Sequence, residues 1–142
     1  MLGYFNVELT FFGAIGTYIS DSGLEYLLSE AGILAEGSVV GFIKGKFYNR
    51  CTRIHQIAAA VLERSLFERY LSDTLIADKY QSILQEINRL SSDDTTSHQF
   101  LAESEEFKNL LEDYEQFFHE VMNGKYGKTA AYWAIYIYFI NR

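Results

Sequence analysis

Apolar residues recur every three to four positions along most of this chain, the spacing expected of helices that bury one face. A first apolar segment runs from Phe5 to Ile19, where Gly13 and Gly16 allow a neighbouring backbone to come close. Asp21 or Ser22 can cap a short second helix, Gly23 to Ala31, which Gly32 ends. A third short helix is predicted from Ser38 to Gly45. Asn49 is the expected N-cap of the longest helix, which runs to about Ser72. Its apolar positions Ile54, Ile57, Ala58, Val61, Leu62, Leu66 and Tyr70 form one stripe. A fifth helix covers Thr74 to Leu90, with Leu75, Ile76, Tyr80, Ile83, Leu84, Ile87 and Leu90 inward.

The stretch Ser91 to Ser97 has no apolar residue and reads as a linker that can cap the helix after it. That helix spans about His98 to Met122 and ends at Asn123-Gly124. Its buried side is Phe100, Leu101, Phe107, Leu110, Leu111, Tyr114, Phe117 and Phe118. The last segment, Lys128 to Asn141, is apolar almost all round, as in a helix at the middle of a bundle or in an interface. Its Tyr and Ile content also suits a strand, but a lone strand needs a partner and the chain offers few. These elements predict an all-α fold, one compact bundle of about six or seven helices in a single domain over residues 1–142.

Composition agrees. Apolar residues make up 49% of the 142 positions and aromatics 16%, which excludes a disordered chain. There is no proline, so the turns must rest on Gly and Ser. The single cysteine, Cys51, cannot form an internal disulfide. Met1 to Ser20 has no basic leader and is interrupted by Glu8. The apolar run Thr129 to Ile140 is too short to cross a bilayer as a helix. The expectation is an intracellular protein, nuclear or cytoplasmic, with no membrane partner.

Charge changes this picture locally. The formal net charge is −7, yet Lys44, Lys46, Arg50, Arg53, Arg64 and Arg69 gather in one stretch against Glu63 and Glu68. Residues Glu103 to Glu120 are the acidic counterpart, with Lys108 alone among them. The two can pair inside the bundle or lie on solvated faces. Lys46, Arg50 and Arg53 fall near the expected start of the long helix, where the helix dipole disfavours cations by about 0.3–1 kcal/mol each. An anion would offset that, so Lys44, Lys46, Tyr48, Arg50, Arg53 and His55 form a candidate anion or nucleic-acid site, with Gly37, Gly41 and Gly45 giving room. The glycine spacing matches no phosphate loop, and net acidity argues against broad nucleic-acid binding.

Motifs for catalysis are absent. Cys51 and His55 stand four residues apart, but two ligands make no zinc site, and His98 and His119 lie elsewhere. The same pair makes a poor nucleophile–base dyad on one helix without oxyanion donors. Glu115 to His119 is one residue too long for the Glu-x-x-His of a di-iron bundle. No cofactor is expected. The aromatics Tyr132, Trp133 and Tyr136 suit a core or a partner interface better than base stacking.

Two segments carry a family likeness. Ala35-Glu36-Gly37-Ser38-Val39, Gly45-Lys46-Phe47-Tyr48-Asn49-Arg50 and Arg53-Ile54-His55 form the first; Gly127-Lys128-Thr129-Ala130 with Tyr132-Trp133 and Tyr136 form the second. Together they resemble parts of large uncharacterised animal proteins encoded by or derived from mobile elements. In those proteins His usually stands at the place of Phe47 and Phe at that of Tyr132. The resemblance implies a transposon-like origin and a module of a longer protein, but no activity. The resulting expectation is a non-catalytic interaction module that binds a protein partner, or itself, through the basic helix start or the aromatic C-terminal helix. The alternative is an accessory nucleic-acid-binding domain using Lys44, Lys46, Arg50 and Arg53 on phosphates.

Overall fold

Helical periodicity without proline or disulfides yields helices throughout. The computed structural model describes residues 2–46, 48–90 and 95–142, and among these nine α-helices and one 3-10 turn occur, with no strand. They are α1 (Leu2–Ile19), α2 (Leu24–Glu30), the 3-10 turn (Glu36–Ser38), α3 (Val39–Ile43), α4 (Tyr48–Leu71), α5 (Thr74–Lys79), α6 (Gln81–Arg89), α7 (Thr95–Glu103), α8 (Glu105–Met122) and α9 (Lys128–Asn141). The all-α class therefore holds, and the final apolar segment is a helix rather than a strand.

The helix count exceeds six or seven because two expected helices are each broken in two. The first break falls at Tyr80, which ends α5 and opens α6. The second falls at Ser104, whose extended backbone (φ −76°, ψ 120°) and side-chain oxygen, accepting from Phe107 N–H at 3.2 Å, start a new helix. Of the expected linker, Ser91–Asp94 lie outside the described residues, while Thr95–Ser97 already belong to α7. Asn49 is inside α4 rather than its cap, since the helix begins at Tyr48. At α2 the cap position is Gly23, and Ser22 Oγ accepts the Leu24 N–H at 3.2 Å.

By compactness the chain falls into two units, one of residues up to Ala60 with Phe139–Arg142, the other of Val61–Tyr138. In the first unit the buried apolar set includes Phe12, Ile15 and Ile19 of α1, Leu24 and Leu28 of α2, Phe42 of α3, and Cys51, Ile54, Ala58 and Ala59 of α4. Helices α1 and α3 meet backbone to backbone. A Cβ on Gly16 would fall 1.8 Å from the Ile43 carbonyl oxygen, so only glycine permits this approach. Gly45 closes α3 at φ +73°, with its N–H on Phe42 C=O and the Lys46 N–H on Gly41 C=O.

The second unit has its own core: Tyr70, Tyr80, Ile83, Leu110, Tyr114, Phe118, Val121, Ala134 and Ile137. Several positions expected inward are not. Leu75 is 77% exposed and Val61 60%, and Ile57, Phe100 and Leu111 are exposed as well. On α4 of the first unit the expected Ile54 and Ala58 are buried, joined by Cys51, His55 and Ala59.

Candidate functional site

The cations around the start of α4 are spread over adjoining hollows that Arg50 links. Lys44 caps the C-terminus of α3 and is exposed, as are Lys46, Arg50 and Arg53. No ion pair among the described residues involves these four cations. Phe47 lies outside the described residues. Tyr48 begins α4, and its side chain also lies outside them.

His55 belongs elsewhere. It is fully buried between Phe12, whose ring is stacked at 5.6 Å and 11°, and Phe42, at 4.6 Å. Burial pulls its imidazole down to about 4, so it is neutral at pH 7 and offers no charge to an anion. The expected grouping of His55 with the arginines is thus corrected: it is a core residue.

Cys51, one turn earlier, is also buried, with its Sγ 3.9 Å from the Phe42 carbonyl oxygen, which the thiol faces as donor. Burial pushes this thiol up to about 11. A thiolate–imidazolium pair needs the thiol lowered and the imidazole raised, and both shifts here run the other way. Among the described residues no group of three His, Cys, Asp or Glu is placed to hold a metal ion.

What the first unit does present is a charge-split groove of about 820 Å³. Ile33, Val40 and Tyr26 give it an apolar lining, with Val40 64% and Tyr26 72% exposed. Lys44 and Arg50 line it together with Asp21, Glu25 and Glu30. Glu25 turns Oε2 into a buried place with no hydrogen-bond partner among the described residues. A smaller hollow of about 270 Å³ is lined by Ile33, Arg50, Arg53, Ile54 and Ile57. Arg50 and Ile33 line both hollows, so the two adjoin in one face that carries apolar, basic and acidic side chains. Sequence reasoning found the cations but missed Tyr26, Ile33 and Val40. Their signal was apolar residues in segments too short to bury them all.

The aromatic C-terminal helix is mostly turned inward. Tyr136 is fully buried, and Tyr132 and Trp133 are half-buried. Tyr132 and Trp133 meet edge to face at 4.9 Å, and Trp133 and Tyr136 do so at 6.0 Å. The acidic helix α8 is partly neutralised locally: Lys79 pairs with Asp113 at 2.9 Å and Lys125 with Glu120 at 3.0 Å. Tyr80 also donates to Asp113. These two donors, the Tyr80 hydroxyl first, hold the Asp113 carboxyl below the usual carboxylate range.

Residues 1–141 match the family described as Domain of unknown function (DUF8702). The chain belongs to that family. No curated protein and no solved structure matches it. Among the described residues, no helix is long and apolar enough to cross a membrane.

Proposed function

We propose that the chain is a non-catalytic interaction module, of mobile-element-like descent, that binds a protein partner through the face shared by Lys44, Arg50, Arg53, Ile33 and Val40. The observation that carries this reading is that Arg50 and Ile33 line both hollows. Exposed apolar side chains flanked by cations that enter no ion pair among the described residues suit an amphipathic acidic segment. Its apolar side chains enter the groove while its carboxylates meet Lys44 and Arg50. The aromatic C-terminal helix is a weaker basis for docking, since Tyr136 is wholly inside.

The second reading, phosphate contacts from Lys44, Lys46, Arg50 and Arg53, draws support from the exposure of all four cations. Against it, Asp21, Glu25 and Glu30 line the same groove and repel a polyanion, whose charge recurs at every nucleotide, more than a segment whose few carboxylates fall only opposite Lys44 and Arg50.

Fluorescence anisotropy at two salt concentrations separates the readings, with labelled acidic amphipathic peptides, DNA and RNA as probes and Arg50→Ala/Arg53→Ala as control. Peptide binding lost in the double variant, with DNA and RNA silent, is the expected result. Salt-sensitive DNA or RNA binding lost in that variant would establish the second reading, and no binding by any probe would sink both.

A further inference from the structure

The groove of the first unit draws its acids and its cations from different elements. Asp21, Glu25 and Glu30 come from α2 and the turn before it, Lys44 from the end of α3 and Arg50 from the first turn of α4. Although these five share one groove, none joins an ion pair among the described residues. The pairs that do form, from Arg64–Glu68 to Lys125–Glu120, all lie in the second unit. Residues 1–60 divide charge the same way: Glu8, Asp21, Glu25, Glu30 and Glu36 come first, then Lys44, Lys46, Arg50 and Arg53. The two signs nearly cancel there, so two copies of this stretch meet with little mutual repulsion.

The segment suited to this groove is an acidic one that exposes apolar side chains beside its carboxylates, and α2 is such a segment. Leu24 and Leu28 are buried and hold it to the core. Tyr26 and Leu27 stand 72% and 64% exposed, with Glu30 one turn further on, also exposed. Two large apolar side chains left in water side by side on a seven-residue helix make a small docking crest, and tyrosine is a favoured anchor of such contacts. The first unit thus carries both halves of one interaction. A surface of that kind closes on itself about a two-fold axis, since each copy returns the contact it receives.

We propose that the occupant of the groove is a second copy of this chain, the acidic α2 of each copy lying along the Lys44 and Arg50 side of the other in a two-fold dimer, which rests on the docking reading of this face and names its partner. Charges unpaired within one copy then meet opposite charges across the interface, while Tyr26 and Leu27 leave water against the apolar lining that includes Ile33 and Val40. A nucleic acid matches only the basic side, and a wholly acidic partner meets Asp21, Glu25 and Glu30 with like charge. A second copy matches both sides.

The test is sedimentation velocity on the full chain over a concentration series at low and high salt. It compares wild type, Arg50→Glu, Glu30→Arg, an equimolar mixture of those two, and Tyr26→Ser/Leu27→Ser, with circular dichroism to check that each stays helical. The expected result is a monomer–dimer equilibrium with a Kd below ~100 μM that weakens as salt rises. Each charge reversal sets like charges together at both halves of the symmetric contact and should weaken the dimer at least ~tenfold, as should the paired serines. The mixture should dimerise again, because the reversed site of one variant then faces the reversed site of the other. A wild type that stays monomeric, a dimer indifferent to both reversals, a mixture that does not re-form it, or assemblies that keep growing beyond two copies would overturn the proposal. Anisotropy with an acidic amphipathic peptide, run on Glu30→Arg, tells its failure from that of the docking reading. Peptide binding without a wild-type dimer overturns the second copy as partner and leaves the docking face standing; neither dimer nor peptide binding overturns both.

Discussion

His55 lies parallel to Phe12, ring centroids 5.6 Å apart and planes only 11° from coplanar, while Phe42 covers it at 4.6 Å. An imidazole held between two apolar rings resists protonation, and folding stability then depends on pH. Its folded value is near 4 against 6.5 in the unfolded chain, so the unfolded state binds the extra proton. The contribution is complete above pH 6.5 and is lost as pH falls from there toward 4. The loss amounts to about 3 kcal/mol at 1.36 kcal/mol per unit. Urea midpoints measured across this window should fall in wild type, and the wild type-minus-His55→Leu difference should carry the slope. A difference that stays level with pH would place the titration elsewhere.

Gly16 sits where no side chain fits. Gly16→Ala raises helix propensity but drives a methyl group into the Ile43 carbonyl. The expected net is a destabilisation of about 1–3 kcal/mol, the range for overpacking. Gly13→Ala, one turn earlier, meets only an ordinary contact with the Lys44 carbonyl oxygen at 3.4 Å and should be near neutral. Thermal melts of the two variants side by side distinguish a close helix approach from a general intolerance of α1.

Ser104 separates α7 from α8 by capping the second. Removing the oxygen in Ser104→Ala leaves the Phe107 N–H without its acceptor and should lower stability by about 1 kcal/mol. Ser104→Asp keeps an acceptor there and should hold or raise it. Equal melting of all three proteins would mean that the cap is not what breaks the helix.

Asp113 receives both Tyr80 and Lys79 on Oδ2. Its carboxyl is lowered by these donors, Tyr80 foremost, so their support is present above the unfolded carboxylate pKa and fades as pH drops through the folded one. Carboxyl-carbon NMR should show Asp113 titrating below an ordinary aspartate, and Tyr80→Phe should move it upward. If Lys79→Met moves it further than Tyr80→Phe, the order of the two donors is reversed.

Much of the fold was legible because helix-forming signals agree with one another. Gly45 and Gly124 end helices where the pattern places them, and α9 covers the predicted residues. The break at Ser104 was also written in the chain, as Ser followed by two glutamates, but the apolar period continues across it and hid it. Tyr80 carries no breaker signal at all, so the backbone change there (φ −112°, ψ 21°) has no local mark in the chain. The inward face of α4 was misjudged by size. Ile54, Ala58 and Tyr70 are buried as the stripe predicts, but Ile57 and Val61 are exposed while His55 and Ala59 are inside, and a histidine beside an apolar stripe reads as polar until its two aromatic neighbours are known. For the candidate face, the cations were legible from charge density, whereas Tyr26, Ile33 and Val40 needed three short segments brought together in space.

The meeting of Gly16 with Ile43 leaves nothing between two helices that substitution elsewhere could adjust. Side-chain cores drift by compensation, one residue growing as another shrinks. A seam of bare main chain has no such freedom, and Gly45 shares the constraint, since a Cβ there would fall 2.5 Å from the Gly13 amide nitrogen. Relatives that keep this arrangement must therefore keep glycine at both places however far the rest diverges, which makes the pair a marker of shared architecture where overall similarity has faded.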